Sequence, residues 1–123
     1  MVKLIYCLRR RPEVSVEEFH RYWRDEHAPL VTSHAASLGI RRYAQLHTVS
    51  GPVNALLAAS RQGPEAYDGV AELWFDDAEA LVAGASSDAG MAAARELAID
   101  EARFIDHSRS PLFVAEEHEV ISG

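Results

Sequence analysis

His27 is the side chain of this sequence best suited to moving a proton. It lies in a run, Ser15 to Leu30, in which Phe19, Trp23 and His27 stand four apart. At about 100° per residue a step of four drifts by only about 40°, so the three share one helical face. Phe19 and Trp23 demand a core, and His27 then carries an imidazole to the inner end of the same face. Pro29 biases Ala28 away from helical geometry and predicts a kink or a stop there. The helix terminus with Asp25 and Glu26 favours the protonated ring, whereas burial opposes it. An imidazole balanced in this way suits general acid/base work. The competing reading is a core histidine whose two nitrogens are satisfied by backbone or carboxylate partners.

Complementary groups come from two alternating segments, Ile40 to Val49 and Gly69 to Phe75. Ile40, Ala44 and Leu46, with Ala71, Leu73 and Phe75, suit a helix-packed side. The opposite set, Tyr43, Gln45, His47, Glu72 and Trp74, mixes aromatic and polar groups as ligand cavities do, and is expected on the other, open side. Glu72 is costly to bury unpaired. It reads either as a pocket acid or base, with His47 or Gln45 across the sheet, or as a carboxylate paired with an arginine. The register between the strands stays open. His47 is a further proton-transfer candidate against simple exposure at a strand end. Tyr43, Gln45, Trp23 and Trp74 are the candidate substrate-binding groups, although both tryptophans also read as core. His20, His34, His107 and His118 follow no ligand spacing, so no metal site is expected. Asp106-His107-Ser108 is no triad, because three adjacent residues cannot serve as nucleophile, base and orienter for one another. They read as a turn.

The elements that must hold these groups follow from pattern and punctuation. Val2 to Leu8 reads as strand one, closed by Arg9-Arg10-Arg11-Pro12. Ser15 with Glu18 forms a capping box for the first helix, and a second helical piece runs from Pro29 to about Leu38 with Gly39 as its stop. Val53 to Arg61 makes two helical turns inside an excursion from Ser50 to Asp68. Asp76 with Glu79 caps a short helix to about Ala83, Ser87 or Asp88 starts a longer one to about Ala102, and Leu112 to Ile121 is the last strand. The order is β-α-β-β-α-β, an α+β, ferredoxin-like antiparallel sheet with helices on one face. A bare apolar face calls for a covering partner.

The 123 residues form one domain, spanning 1–123. The net charge of −7 argues against a nucleic-acid surface. No apolar run approaches the roughly 20 residues of a membrane span, and the N-terminal segment reads as a strand rather than a secretory leader. The single cysteine, Cys7, excludes an internal disulfide and fits a reducing cytoplasm.

The chain resembles the EthD-domain proteins of the dimeric α/β-barrel superfamily. The resemblance is carried by Glu18-Phe19-x-x-Tyr22-Trp23, His27-Ala28-Pro29-Leu30, Tyr67 to Phe75, and Phe104 to Ser110. It implies a homodimer whose sheets face each other, a pocket between sheet and helices in each subunit, and no obligatory organic cofactor. Relatives include proteins linked to fuel-ether degradation, dehydratases of fungal aromatic polyketides and, more remotely, lactone isomerases, polyketide cyclases and cofactor-free monooxygenases. His27 matches the position implied as acid/base, while Tyr43, Glu72 and Trp74 match pocket lining. The expected function is cofactor-independent proton transfer (dehydration, isomerisation or cyclisation) on a small hydrophobic or aromatic carbonyl or phenolic compound. Cofactor-free oxygen insertion is the second expectation, and a non-catalytic carrier of hydrophobic ligands or haem the third.

Overall fold

The Ser15 hydroxyl accepts from the Glu18 backbone N–H, starting the first helix where the capping box placed it. A computed structural model describes all of residues 1–123. Its elements are β1 (Val2–Leu8), α1 (Val16–Tyr22), a π-helical turn (Trp23–His27), α2 (Ala28–Leu38), β2 (Arg42–His47), α3 (Val53–Ser60), β3 (Gly69–Phe75), α4 (Ala78–Ser86), α5 (Asp88–Glu101), a 3-10 turn (His107–Arg109) and β4 (Leu112–Ala115).

The sheet order is β2-β3-β1-β4 and every pairing is antiparallel. This is the ferredoxin-like α+β arrangement. The helices cover one face, and a core of Leu8, Phe19, Trp23, Ala71, Phe104 and Ile105 fills the space between. Gly39 ends α2 with φ of 78°, the left-handed geometry that glycine adopts without penalty.

Several boundaries move for local reasons. Asp77, not Asp76, caps α4 by accepting from the Ala80 N–H, and the helix runs on to Ser86. Asp76 pairs instead with the Arg41 guanidinium. β4 stops at Ala115, where the sequence turns to Glu116, Glu117, His118 and Glu119. Asp106 caps the turn through Arg109 by accepting from Ser108, so that trio holds the entry to β4 as expected. In the excursion after β2, α3 buries no side chain. The basic run at the end of β1 fastens it: Arg9 lies 4.3 Å from the Tyr67 ring centroid and donates to the carbonyls of Glu65 and Ala66.

The largest correction concerns the two faces. The register sets Tyr43 opposite Leu73, Gln45 opposite Ala71 and His47 opposite Gly69. Tyr43, Gln45 and His47 therefore share the helix-covered face with Ala71 and Leu73. Glu72 and Trp74 fall on the open face with Ala44 and Arg42. The sequence-level set is split between two sides of one sheet. Alternation separates odd from even but does not say which set points inward. Here the larger, hydrogen-bonding set of β2 goes inside because Trp23 offers it both a ring and a carbonyl.

Candidate functional site

The helix carrying His27 does not stop at Pro29 but continues as α2 to Leu38. The chain widens into the π-turn, where the Ala28 N–H bonds the Trp23 carbonyl five residues back. A wider turn relieves the clash between the proline ring and the preceding carbonyls, and such turns recur at functional sites. It also turns less per residue, offsetting the drift of the four-residue spacing. Phe19, Trp23 and His27 stay on the inward face, with exposures of 0, 1 and 4 %.

His27 Nδ1 lies 2.7 Å from Asp100 Oδ2 on α5. A carboxylate only accepts, so Nδ1 carries the proton and Nε2 is left to face Glu101 Oε2 at 4.0 Å. Each carboxylate is itself held. The Tyr22 hydroxyl donates to Asp100, and the Tyr6 hydroxyl donates to Glu101 Oε1 at 3.1 Å. Burial, followed by the hydrogen bond to Asp100, pushes the Tyr22 phenol up to about 12. Burial and then the Glu101 charge raise the Tyr6 phenol as well, so both stay protonated donors at neutral pH. An imidazole oriented by one carboxylate, with its other nitrogen turned to a cavity, is the arrangement of a general base.

A second network runs along β2. His47 stacks on the Trp23 indole with ring centroids 4.5 Å apart, and its Nε2 lies 2.8 Å from Gln45 Oε1. The Gln45 amide nitrogen donates to the Trp23 carbonyl at 2.9 Å and to the Tyr43 hydroxyl at 2.8 Å. Burial lowers the pKa of His47, and the neighbouring His20 and Arg24 charges add to the effect.

Between sheet and helices lies a cavity of about 380 Å³, apolar over most of its wall. Tyr6, Trp23, His27, Tyr43 and Glu101 supply its polar groups. That volume suits a small organic ligand. Of the candidates from sequence, His27, Tyr43 and Trp23 meet at this cavity. Gln45 stands behind Tyr43, and His47 behind Trp23. Glu72 and Trp74 do not reach it. Glu72 lies 3.6 Å from the Lys3 ammonium rather than beside His47, Gln45 or an arginine, and Lys3 and Arg42 flank the Trp74 ring, each 4.4 Å from its centroid. A second cleft of about 450 Å³, between α1 and the α3 excursion, holds His20 and Asp68 but none of the His27 group.

Sequence reasoning missed Asp100, Glu101, Tyr6 and Tyr22. The first two end the long helix α5, and Asp100 meets His27 from 73 residues away. Tyr6 had a usable signal, since it alternates in phase with Leu4 and Leu8 on β1. No group of three or more His, Cys, Asp and Glu side chains is arranged to hold a metal ion. No helix is long and apolar enough to cross a membrane.

The EthD domain model matches residues 11–108 of the chain. Among solved structures, an ethyl tert-butyl ether D (EthD) family protein from Bacillus halodurans is 26% identical, with a TM-score of 0.63, covering 96% of this chain and 99% of its own. A dimeric protein of unknown function and ferredoxin-like fold from Bacteroides fragilis is 16% identical with a TM-score of 0.59, covering 94% and 95%. SnoaB, a cofactor-independent oxygenase from Streptomyces nogalater, is 12% identical with a TM-score of 0.58, covering 99% and 97%. Among curated proteins nothing matches.

Proposed function

The chain belongs to the EthD family, and on that premise we propose that it is a small cofactor-independent acid/base catalyst acting on a ring compound with a carbonyl or phenolic oxygen. One observation carries the reading: His27 is fixed by Asp100 at 2.7 Å and turns Nε2 toward a largely apolar cavity. His27 takes a proton from a carbon or hydroxyl beside a carbonyl and returns it elsewhere on the substrate. Asp100 stabilises the imidazolium formed in between, and Glu101 is the complementary acid or base in place of Glu72 or His47. In an isomerisation or cyclisation the returned proton stays on the product, and in a dehydration it goes to the hydroxyl whose C–O bond breaks and which leaves as water.

Acetophenone in D2O provides a substrate-independent test, with exchange at its methyl group followed by NMR. The protein accelerates that exchange, and His27→Gln, which can still bond Asp100, removes about 10²- to 10⁴-fold of the acceleration. Exchange that survives the substitution moves the chemistry away from His27. The oxygenase-like neighbour supports a second reading, oxygen insertion, and protein-dependent oxygen uptake with a phenolic ligand would favour it. A carrier role is favoured if ligands bind without exchange or oxygen uptake. Axial ligation of haem finds less support, because the His27 nitrogens face two carboxylates and His47 Nε2 is engaged by Gln45.

The same reading includes a homodimer formed through the open faces, closing a dimeric α/β barrel. It is supported by the dimeric neighbour and by Leu46 and Phe113, which remain 47 and 48 % exposed on that face. Sedimentation showing a lone protomer at micromolar concentration would remove it.

A further inference from the structure

We propose that the two cavity tyrosines have fixed and opposite hydrogen-bonding polarity, Tyr43 giving a proton and Tyr6 giving a lone pair. The cavity thereby selects a small ring compound that carries both a carbonyl and a hydroxyl. The inference deepens the reading of this cavity as the ligand site and rests on it.

The polarity of Tyr43 follows from counting donors. Gln45 has one amide nitrogen with two hydrogens and one oxygen. The Trp23 carbonyl can only accept, so the nitrogen must face it, and the same nitrogen meets the Tyr43 hydroxyl oxygen. A flipped amide would set oxygen against oxygen at Trp23. His47 closes the chain by donating from Nε2–H to Gln45 Oε1. With its oxygen receiving the Gln45 amide, Tyr43 keeps its own O–H, which no protein acceptor takes and which is available to a ligand in the cavity that Tyr43 lines.

Tyr6 is the reverse case. Its proton is committed to Glu101 Oε1, leaving only lone pairs for a ligand. Beside it stands Glu101 Oε2, also an acceptor, 4.0 Å from His27 Nε2. That end of the cavity is acceptor-rich and needs a hydroxyl to satisfy it. The two tyrosines lie on β1 and β2, on either side of β3, so about 10 Å separates their strands. Their hydroxyls are thus offered to different atoms of a ring ligand rather than to one shared atom. Tyr43 is thus a specificity-determining residue, and Gln45 and His47 are positioning residues that act through it.

Four ring compounds of nearly equal shape make the test: ethylbenzene, acetophenone, para-ethylphenol and para-hydroxyacetophenone, with dissociation constants from NMR titration of the full chain. Para-hydroxyacetophenone binds tightest and ethylbenzene weakest, each oxygen contributing about five- to tenfold. Tyr43→Phe removes the carbonyl's contribution from both ketones and leaves ethylbenzene and para-ethylphenol unchanged. Tyr6→Phe weakens only the two phenols. Gln45→Met frees the Tyr43 hydroxyl to turn back to the Trp23 carbonyl and lowers the ketone preference while the phenol preference stands. In NMR of the free protein, His47 is the Nε2–H tautomer. Equal affinity for all four compounds, no binding of para-hydroxyacetophenone, or an equal loss across the set in Tyr43→Phe overturns the proposal. Missing selectivity with His27-dependent exchange intact defeats this inference alone, whereas selective binding without exchange defeats the acid/base reading alone.

Discussion

The two faces of the sheet are built from the same strands, yet they solve different problems. On the covered face Tyr6, Tyr43 and Gln45 are neutral, and each is fixed by a named partner. On the open face Lys3 lies within reach of both Glu72 and Glu117, and Trp74 sits between two cations. Charges that can be solvated or paired at little cost are kept outside, and the carboxylates admitted inside, Asp100 and Glu101, arrive from a helix with hydroxyl donors already aimed at them. The difference teaches where to look for chemistry: an ionisable group near a cavity matters when its neighbours have been spent on orienting it.

Substitutions at matched positions break or sharpen that contrast. The largest effect is expected at the tryptophans: Trp23→Ala costs about 3–5 kcal/mol in a denaturant titration, because it empties the middle of the core. Trp74→Ala, on the open face, costs about 1 kcal/mol. Equal losses would mean that the open face is as tightly filled as the covered one. Next come the carboxylates. Asp100→Asn lowers the proton exchange by about 10²-fold through loss of the imidazole's orientation and counter-charge. Glu72→Gln leaves exchange unaltered, and an effect comparable to that of Asp100→Asn would return Glu72 to the catalytic group. The smallest effect is that of His47. Its folded-state pKa lies below the ordinary value, so the unfolded chain binds the proton first as pH falls. Stability then declines from about pH 6.5 down to the folded value and is fully present above it. Thermal melts of His47→Phe across that window should show a shallower acid slope than wild type. An unchanged slope would assign the acid sensitivity elsewhere.

Much of the scaffold was legible because local rules govern it. Ser15 with Glu18, Gly39, and the span Gly69 to Phe75 each stand where capping, left-handed geometry and alternation put them. The inward stripe of Phe19, Trp23 and His27 also held, although the helix reached it through a turn that the proline rule alone did not foresee. The site was legible only in its first member. Asp100 and Glu101 join His27 through tertiary packing, for which a single sequence carries no periodic signal. The assignment of Tyr43, Gln45 and His47 to the open face failed for a different reason. Their mixed aromatic and polar character reads as cavity lining, which alternation alone cannot assign to a side, whereas these residues satisfy one another and the Trp23 carbonyl beneath the helices.

The widened turn between Trp23 and His27 holds one residue more than a regular coil would need. The wide turn absorbs that residue, so the coils on either side stay in phase, and deleting one position there would restore ordinary winding with little rotation of the flanking helices. What would change is the step from indole to imidazole, cut from four residues to three, which displaces the ring from its fit against Asp100 and closes the wide turn at the Trp23 carbonyl. Length variation in this turn is therefore a place to look for relatives that keep the scaffold without the His27–Asp100 pair.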